Sequence, residues 1–460
     1  MQKNLFYGSL MDMLDSKDPL VVLADTIKWS KFEDEFAQYY SKEGRPAKPI
    51  RLMVGLLLLK QLENLSDENV VIAWKRNPYF QYFCGFSDFQ TALPCHSTDL
   101  VYFRNRIGKK GFEFIFKHSI EIHSNENLNE SQVIADTTIQ ESNLTYPTDG
   151  KLAIKIINHL HKIVKVENIK LRRSYIKEIK QHRINLRFFR HPKKIIKAKA
   201  SMKRLRTIAK TILRDIDRKF GDNLELHNKY ATKFYLYIRV LLQEKNTKNK
   251  IYSLHEIDAY AVNKGKDHKG YEYGTKASVV TTKNSGIIVG VSAHRENEHD
   301  SKTLKLALEN TISNLGSKTI NEVICDRGYR GSKQIIINNE TVIDISIPSN
   351  QQKKDTPEQI NIKKEKFRRR AAIEPIIGHL KSDHRMQRNY LKGFIGDQIN
   401  LLLAATAFNL KKWMNIYFYA FFTGNLFLLK EAYQQLQHQK ELIMFLLQLK
   451  ITMKFSNLDY

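Results

Sequence analysis

The chain has 460 residues, enough for two or three domains with buried cores, and 42% of them are hydrophobic, as in ordinary globular proteins. It carries 75 lysines and arginines against 48 aspartates and glutamates, a formal net charge of +27. The normal apolar content excludes a disordered tail as the source of this excess, so the charge covers a folded body. An excess of this size predicts a polyanionic partner, either nucleic acid or an acidic membrane surface.

The cysteines and the N-terminus indicate the compartment. Cys84, Cys95 and Cys325 form no CxxC pair and leave an odd count, which favours a reducing compartment over a zinc site or a disulfide frame. The opening residues MQKNLFYGSLMDML lack the apolar core and the cleavage site of a signal peptide. The sequence therefore predicts a cytoplasmic protein.

Two apolar stretches bear on membrane binding. Residues 52–59 end at Lys60, well short of the roughly 20 residues that span a bilayer. Residues 413–429 form a longer run, but polar residues and a glycine interrupt it. A packed C-terminal helix is the favoured interpretation of the second stretch and a membrane helix is its alternative. No membrane partner is expected.

In chain order, residues 1–125 are predicted to form a mostly helical N-terminal domain. Apolar residues recur at helical spacing in PIRLMVGLLLLKQLENLSDENVVIAW, with Pro49 and the Ser66-Asp67 pair as helix-start signals. The polar gap SNENLNE then leads to the first predicted strand, SQVIADTTIQ, whose apolar run 133–135 ends on Asp136.

Residues 151–245 have a helical pattern and are very basic. Between Lys151 and Phe220 there are 23 lysines and arginines against 4 acidic residues, while apolar residues still recur. The pattern is typical of a helical insertion with one packed face and one charged face. A solvated face is the ordinary interpretation of such a charge run. Self-repulsion at this density favours contact with the DNA backbone instead.

Strand signals return after Ile251 in KASVVTT, GIIVGVSAH, NEVICDRGY and TVIDISIPS, with a helix predicted to end at Gly316. One strand thus precedes the helical segment and several follow it. This arrangement predicts a single α/β domain over 126–412 that the helical insertion interrupts, followed by an apolar C-terminal extension over 413–460.

Two carboxylates close apolar, strand-like runs: Asp136 follows VIA and Asp326 follows VIC. The ends of strands lie at the edge of a sheet, where ligands of open α/β sheets gather. A carboxylate there needs a positive partner, and a divalent cation is the usual one. The alternative for each residue is a turn or a helix cap.

The segment KFRRRAAIEPIIGHLKSDHRM carries a third acidic residue. At about 100° per residue, Phe367, Arg370, Glu374 and Lys381 share one helical face. Such a face suits metal binding through Glu374 with Arg370 and Lys381 on phosphate oxygens, and an exposed ion-pair stripe is its alternative. Pro375 requires that a helix start or kink at this point.

These blocks together resemble the DDE transposases of bacterial insertion sequences, in particular the insertion-sequence-five family. The matching blocks are VIADTTIQESNLTYPTDGKL, KIYSLHEIDAYAVNKGKDHKGYEYGTKASVVTT, VICDRGYRG, FRRRAAIEPIIGHLKSDHRMQRNYLKGFIGDQINLLLAATAFNL and, earlier, SKEGRPAKPIRLMVGLLLLKQLENLSDENVV with HSTDLVYFRNRIG. The resemblance covers about residues 40–412. It implies a ribonuclease H-like core with the basic helical block inserted after the first strand.

The resemblance also assigns roles. It makes Asp136, Asp326 and Glu374 the catalytic acids, which hold two Mg²⁺ ions, with Mn²⁺ as a substitute. Arg370 and Lys381 fit the family signature around the glutamate, whereas Phe367 stands where the family has a tyrosine. The implied activity is cleavage of DNA strands at transposon ends and transfer of the freed 3′ ends into target DNA.

The implied partners are double-stranded DNA, both terminal inverted repeats and target, and a second copy of the chain when two ends are joined. The protein is expected to associate with the bacterial nucleoid. The N-terminal helices are the first candidate for binding the transposon ends. The alternatives are a non-catalytic or decayed DNA-binding protein derived from a transposase, and a nuclease on the same fold.

Residues near these blocks were ranked lower. For the pairs His299-Asp300 and Asp383-His384, a surface position is favoured over support of the site. Two interpretations are equally favoured for Lys276 and for its neighbours Lys264, Lys266 and His268. They either contact DNA phosphates or protect a solvated edge strand from pairing. Cys325 is interpreted as a small strand residue.

Overall fold

The computed structural model describes residues 9–41, 43, 47–123, 128–189, 191–244, 246–263, 270–316, 320–331, 333–337, 341–347 and 355–418, apart from the side chain of Phe367. This part of the chain forms two compact units. The first comprises the described residues of 1–107, 114–125 and 406–460, and the second those of 108–113 and 126–405.

The chain before the first strand is helical, as predicted. The helices are α1 (Leu10–Met13), α2 (Pro19–Thr26), α3 (Trp29–Ala37), α4 (Ile50–Leu62), α5 (Asp67–Arg76), α6 (Pro78–Phe83) and α7 (Ser97–Glu121). Both start signals are confirmed, because Pro49 lies at the N-cap of α4 and the Ser66 hydroxyl accepts the Asn69 N–H at α5. Helix α4 is buried along most of its length.

The predicted basic helical segment consists of α8 (Asp149–Val166), α9 (Ile176–Asn185), α10 (Ile195–Phe220) and α11 (Leu224–Leu242). These helices share a hydrophobic core that includes Ile156, Leu160, Leu205, Ile212 and Phe234. Most of the lysines and arginines lie on the outer, exposed faces. The prediction of one packed and one charged face is therefore confirmed.

Eight described strands form one mixed sheet. They are β1 (Gln132–Ser142), β2 (Tyr260–Val262), β3 (Glu272–Thr282), β4 (Ile288–His294), β5 (Glu322–Ile324), β6 (Gln334–Ile337), β7 (Thr341–Ser346) and β8 (Arg388–Asn389). The order is β2-β3-β1-β5-β7-β6, with β4 also beside β3 and β8 beside β1. Strands β1 and β3 are antiparallel, whereas β1, β5 and β7 run parallel.

Four more helices complete the described chain: α12 (Asp300–Leu315), α13 (Pro357–Ala371), α14 (Ile373–Ser382) and α15 (393–418). Helix α12 lies between β4 and β5 along the chain and ends at Gly316, whose φ of 66° is left-handed. The predicted end of this helix is therefore confirmed.

Further sequence predictions concern cysteines and membranes. All three cysteines are buried and free. Among the described helices, none has the length and apolar composition required to cross a bilayer. Of the apolar run 413–429, residues up to 418 belong to α15, and the remainder lies outside the described residues.

Candidate active site

Strands β1 and β5 bring Asp136 and Asp326 to the same region of the sheet. Ile134 pairs with Ile324 in the parallel register, and each aspartate lies two residues beyond its isoleucine. The two carboxylates therefore occupy corresponding positions just past the end of this pairing. The strand-end placement argued for Asp136 was wrong: β1 runs to Ser142, close to the end of the predicted strand SQVIADTTIQ, and its antiparallel pairing with β3 extends through Glu141, so Asp136 lies within the strand.

Short hydrogen bonds hold both carboxylates. Asp136 Oδ1 accepts the Thr137 N–H at 2.7 Å. Asp326 caps the 3₁₀ turn Arg327–Tyr329, and its Oδ1 accepts the Gly328 N–H at 2.8 Å. The alternative that Asp326 is a turn residue is thus also correct, and the turn places its carboxylate beside that of the strand. Both side chains are partly accessible.

Glu374 reaches this region through helix packing. Its neighbour Ile373 is fully buried in a cluster with Ile134, Ile324 and Ile377. Since side chains alternate along a strand, Asp136 shares the face of β1 that carries Ile134. Glu374 therefore lies on a helix packed against that same face. Its side chain is 61% exposed, and Arg370 Nη2 lies 3.2 Å from its Oε1.

The segment around Glu374 corrects the expectation of one continuous helical face. Helix α13 ends at Ala371 and α14 begins at Ile373, so Arg370 belongs to one helix and Glu374 and Lys381 to the next. Pro375 is the third residue of α14, where a missing N–H is tolerated. The predicted start or kink at Pro375 is confirmed, and the Arg370–Glu374 contact survives the break.

Asp300, the first residue of α12, was a weaker candidate from the sequence. The Thr137 hydroxyl donates to Asp300 Oδ1 at 2.9 Å, and Lys276 Nζ lies 3.0 Å from the same oxygen. The surface interpretation of the His299-Asp300 pair is therefore wrong for Asp300, although His299 is an exposed helix cap. Only its position after a strand could have suggested a role.

Lys276 also differs from both sequence interpretations. It lies on β3, which has neighbouring strands on both sides, and its side chain is only 8% exposed. It is therefore not on a solvated edge strand. Its ammonium group donates to the Glu298 carbonyl as well as to Asp300, so the predicted contact with DNA phosphate has internal competitors. Lys264, Lys266 and His268 lie outside the described residues.

Two lower-ranked predictions have mixed outcomes. Asp383 is exposed and contacts His379 at 2.7 Å, as a surface pair would, whereas His384 is buried. Cys325 is completely buried, and burial together with the charges of Asp326 and Asp136 raises the pKa of its thiol well above the usual value. A small, unreactive strand residue fits these properties.

Tyr329 was not among the candidates predicted from the sequence. Its side chain is 1% exposed, and its hydroxyl has no hydrogen-bond partner among the described residues. Burial raises the pKa of this phenol well above its usual value, and the negative charges of Asp136, Asp300 and Asp326 raise it further. Tyr329 is therefore a neutral, buried hydroxyl close to three carboxylates.

The donor chemistry fits a hard divalent cation, since carboxylates are the ligands that Mg²⁺ prefers and a buried hydroxyl without a protein partner lies among them. Within the described ranges, however, no three His, Cys, Asp or Glu side chains converge closely enough to hold a metal ion. The structure brings Asp136 and Asp326 to one edge and the Glu374 helix to the adjoining face, without closing a three-carboxylate site.

Two family models and a bacterial relative match this chain. Residues 8–106 match a family model described as "Transposase domain (DUF772)", and residues 246–410 match one described as "Transposase DDE domain". A protein of Rhizobium meliloti named "Uncharacterized protein ORF8 in nfe locus" is 38% identical over 194 residues, which cover 41% of this chain and 94% of that protein. No solved structure matches. The chain therefore belongs to the DDE transposases of insertion sequences.

Proposed function

We propose that this chain is the catalytic transposase of its element, with Asp136, Asp326 and Glu374 as the catalytic acids. It cleaves DNA at the transposon ends and transfers the freed 3′ ends into target DNA. The observation that supports this most directly is the matched placement of Asp136 and Asp326 on adjacent parallel strands, with the Glu374 helix packed on them through Ile373. Asp326 and Glu374 also lie within the matched DDE domain, whereas Asp136 precedes it.

The catalytic core in this proposal is ribonuclease H-like. Its support is the strand order β4-β3-β1-β5-β7, in which β3 is antiparallel to its neighbours β4 and β1, and β5 and β7 are parallel to β1. The helices α8–α11 lie between β1 and β2 along the chain, as a helical insertion after the first strand would. This insertion and the N-terminal helices then supply DNA contacts that a simple nuclease does not require.

Asp136, Asp326 and Glu374 are the residues that would hold two Mg²⁺ ions, or Mn²⁺ in their place. Such ions supply concentrated positive charge to a phosphodiester and favour deprotonation of the attacking water or 3′-OH. The chain's own residues orient the acids: Gly328 N–H fixes Asp326, Thr137 N–H fixes Asp136, and Arg370 holds Glu374.

Arg370 and Lys381 are the proposed phosphate contacts nearest these acids. Arg370 is 19% exposed and adjoins Glu374, so its planar guanidinium is already oriented for an anionic oxygen. Lys381 lies two turns after Glu374 on α14, which places both on one side of that helix. The proposed DNA path therefore crosses the start and the end of α14.

The exposed cations of the helical block are the proposed nonspecific DNA contacts. Those on α9 and α10 include Lys177, Lys180, Arg183, Lys197 and Lys203, all on the outer face. The N-terminal helical unit is proposed to bind the terminal inverted repeats. Joining two ends would need two copies of the chain on DNA, in the cytoplasm with the nucleoid.

The test of the proposal is the variant Asp326→Asn. Asparagine keeps the Oδ1 acceptor for Gly328 N–H but removes the negative charge. We expect unchanged binding to end-containing DNA in a gel-shift assay and no detectable strand cleavage in Mg²⁺ or Mn²⁺. Asp344→Asn, at an exposed position of β7 where the Oδ1 acceptor for Gln334 is likewise kept, is the matched control and should cleave like the unmodified protein.

Two results would contradict the proposal in different ways. Normal cleavage by Asp326→Asn would remove Asp326 from the catalytic centre. DNA binding without any cleavage by the unmodified protein, on DNA carrying its own terminal repeats, would favour the non-catalytic alternative.

A further inference from the structure

An ion pair between Asp300 and Lys276 lies in the same region as the two catalytic aspartates. Asp300, 28% exposed, faces Lys276, 8% exposed, at 3.0 Å. Lys276 also donates to the Glu298 carbonyl, two residues before Asp300. The ammonium group thus has two partners at the start of α12, and this ion pair fixes the N-terminus of that helix against β3.

Asp300 accepts a hydrogen bond from the residue after Asp136 and lies close to the turn that holds Asp326. Its Oδ1 accepts the hydroxyl of Thr137, the residue after Asp136. A Cβ placed on Gly328 would lie 3.0 Å from Asp300 Oδ2 and 3.0 Å from Asp326 Oδ1. Asp300 Oδ2 and Asp326 Oδ1 are therefore no more than twice that distance apart.

The charge of Asp300 requires Lys276. Asp136, Asp300 and Asp326 all act electrostatically on the same buried residue, Tyr329, which places three carboxylates in one region. A third carboxylate without a cation would be costly there. The Lys276 ammonium balances Asp300, so this carboxylate can lie against the Asp326 turn without adding an unpaired charge.

We propose that Lys276 and Asp300 form a positioning pair that holds the Asp326 turn in register with Asp136. The inference rests on the proposed function, because it assigns the pair to the catalytic acids rather than to DNA. Asp300 touches neither strand of DNA in this proposal. It acts through Thr137 on one acid and through Gly328 on the other.

The first test is Asp300→Asn, which keeps the size of the side chain and removes its charge. We expect strand cleavage to fall about 10- to 100-fold with DNA binding unchanged. The affinity of the DNA-free protein for Mn²⁺, measured by isothermal titration calorimetry, should weaken about tenfold, since supporting residues of metal sites act at this scale. Glu309→Gln, on the same helix, is the matched control and should change neither quantity.

The second test is a cycle with Lys276→Met. If the two residues act as one unit, the double variant should cleave no more slowly than the worse single variant, whereas independent roles would multiply the losses. Gly328→Ala gives a check that leaves the ion pair intact. Its added methyl group should push the two carboxylates apart and reduce Mn²⁺ affinity in a protein that still unfolds cooperatively.

The inference is overturned if Asp300→Asn keeps both normal Mn²⁺ affinity and normal cleavage, or if the losses in the cycle multiply. A lower melting temperature with unchanged Mn²⁺ affinity would also overturn it, since a merely structural pair would have that effect. These results are separable from failure of the proposed function, because Asp326→Asn tests the acid itself.

Discussion

Asp397 is a buried carboxyl group with neutral hydrogen-bond partners. The Thr275 hydroxyl donates to Oδ2 at 2.5 Å, and the Asn389 amide donates to Oδ1 at 2.7 Å. Burial raises the pKa of Asp397 to about 6, with further upward shifts from the charges of Glu256 and Asp258, and the two hydrogen bonds offset this only in part. The folded protein therefore retains a proton that the unfolded chain releases near pH 4.

This difference predicts a specific pH dependence. Because the pKa is higher in the folded state, the contribution of Asp397 is fully present below about pH 4 and is lost as the pH rises through about 6. Between pH 4 and 7, the free energy of unfolding of Asp397→Asn relative to the unmodified protein should rise by about 2 kcal/mol. Urea unfolding of both proteins at the two pH values measures this change.

Other titrating groups contribute equally to the unfolding free energies of Asp397→Asn and of the unmodified protein, so the difference between the two isolates Asp397. Burial lowers the pKa of His294 and of His123 to about 4, so each of these contributes a loss of stability on acidification, opposite in sign to Asp397. Both histidines are present in both proteins. An unfolding difference that stays constant from pH 4 to 7 would show that Asp397 is ionised in the folded state.

At the scale of elements, the junction between α13 and α14 determines where Glu374 lies. Pro375 removes the N–H that would bond to the carbonyl of Ala371, and its ring disfavours continued helix through Glu374. The break allows Ile373 to enter the cluster with Ile134 and Ile324 while Glu374 stays exposed. The proline therefore contributes to the position of Glu374, the third proposed catalytic acid.

Pro375→Ala tests this role. Alanine permits α13 and α14 to join, which would rotate Glu374 relative to the Asp136 face. We expect cleavage to fall on the order of tenfold or more, as a small misplacement of a reacting group can cause. Helical content by circular dichroism and the melting temperature should be unchanged or higher. Full cleavage activity in this variant would show that the break is not needed for placing Glu374.

Hydrophobic periodicity, together with residues that signal helix ends and turns, was sufficient to predict most of the long helices and strands. The N-terminal helices, the basic helical segment, β3, β4, β7 and the end of α12 at Gly316 follow from residues near in sequence. Strands β2, β6 and β8 were missed because two to four residues carry too little pattern. The extent of β1 was predicted to within two residues at its C-terminal end, but the position of Asp136 inside the paired strand depends on the partner β3, which no local pattern encodes.

Some residues of the candidate site could be predicted from the local sequence, and others depend on how distant segments come together. Asp136, Asp326 and Glu374 were identified from local context together with the family resemblance. Asp300 was named only as a weaker candidate and Tyr329 was not named, because their relation to the acids arises only when α12 and the β5 turn come together. The position of Lys276 inside the sheet likewise follows from strand order, which a lysine in a β-rich run does not reveal.

At the scale of the whole molecule, the excess of positive charge predicts strongly salt-dependent DNA binding. With a net charge of +27, affinity should fall steeply between about 50 and 200 mM salt, since counterions leave the DNA on binding. The double variant Lys177→Gln/Lys180→Gln should reduce the slope of log affinity against log salt by about 1 to 2, and it should do so equally on any sequence. Fluorescence anisotropy over a salt series gives the slope.

The matched control is Lys302→Gln/Lys305→Gln, which removes two exposed lysines from α12 outside the helical block. An equal reduction of the slope by both double variants would mean that general charge, and not the helical block, determines binding.

The core shared by α8, α10 and α11 affects how the protein is synthesised. Strand β1 ends at Ser142, whereas its antiparallel partner begins at Glu272, so at roughly 5 to 20 residues per second β1 waits on the order of ten seconds on the ribosome. During that interval its edge is open to wrong partners. The helical block makes its own contacts within this stretch, and α8 packs with α11, the helices that begin and end it. Its early folding brings the nascent chain back towards β1 and shortens the effective loop that β3 must close.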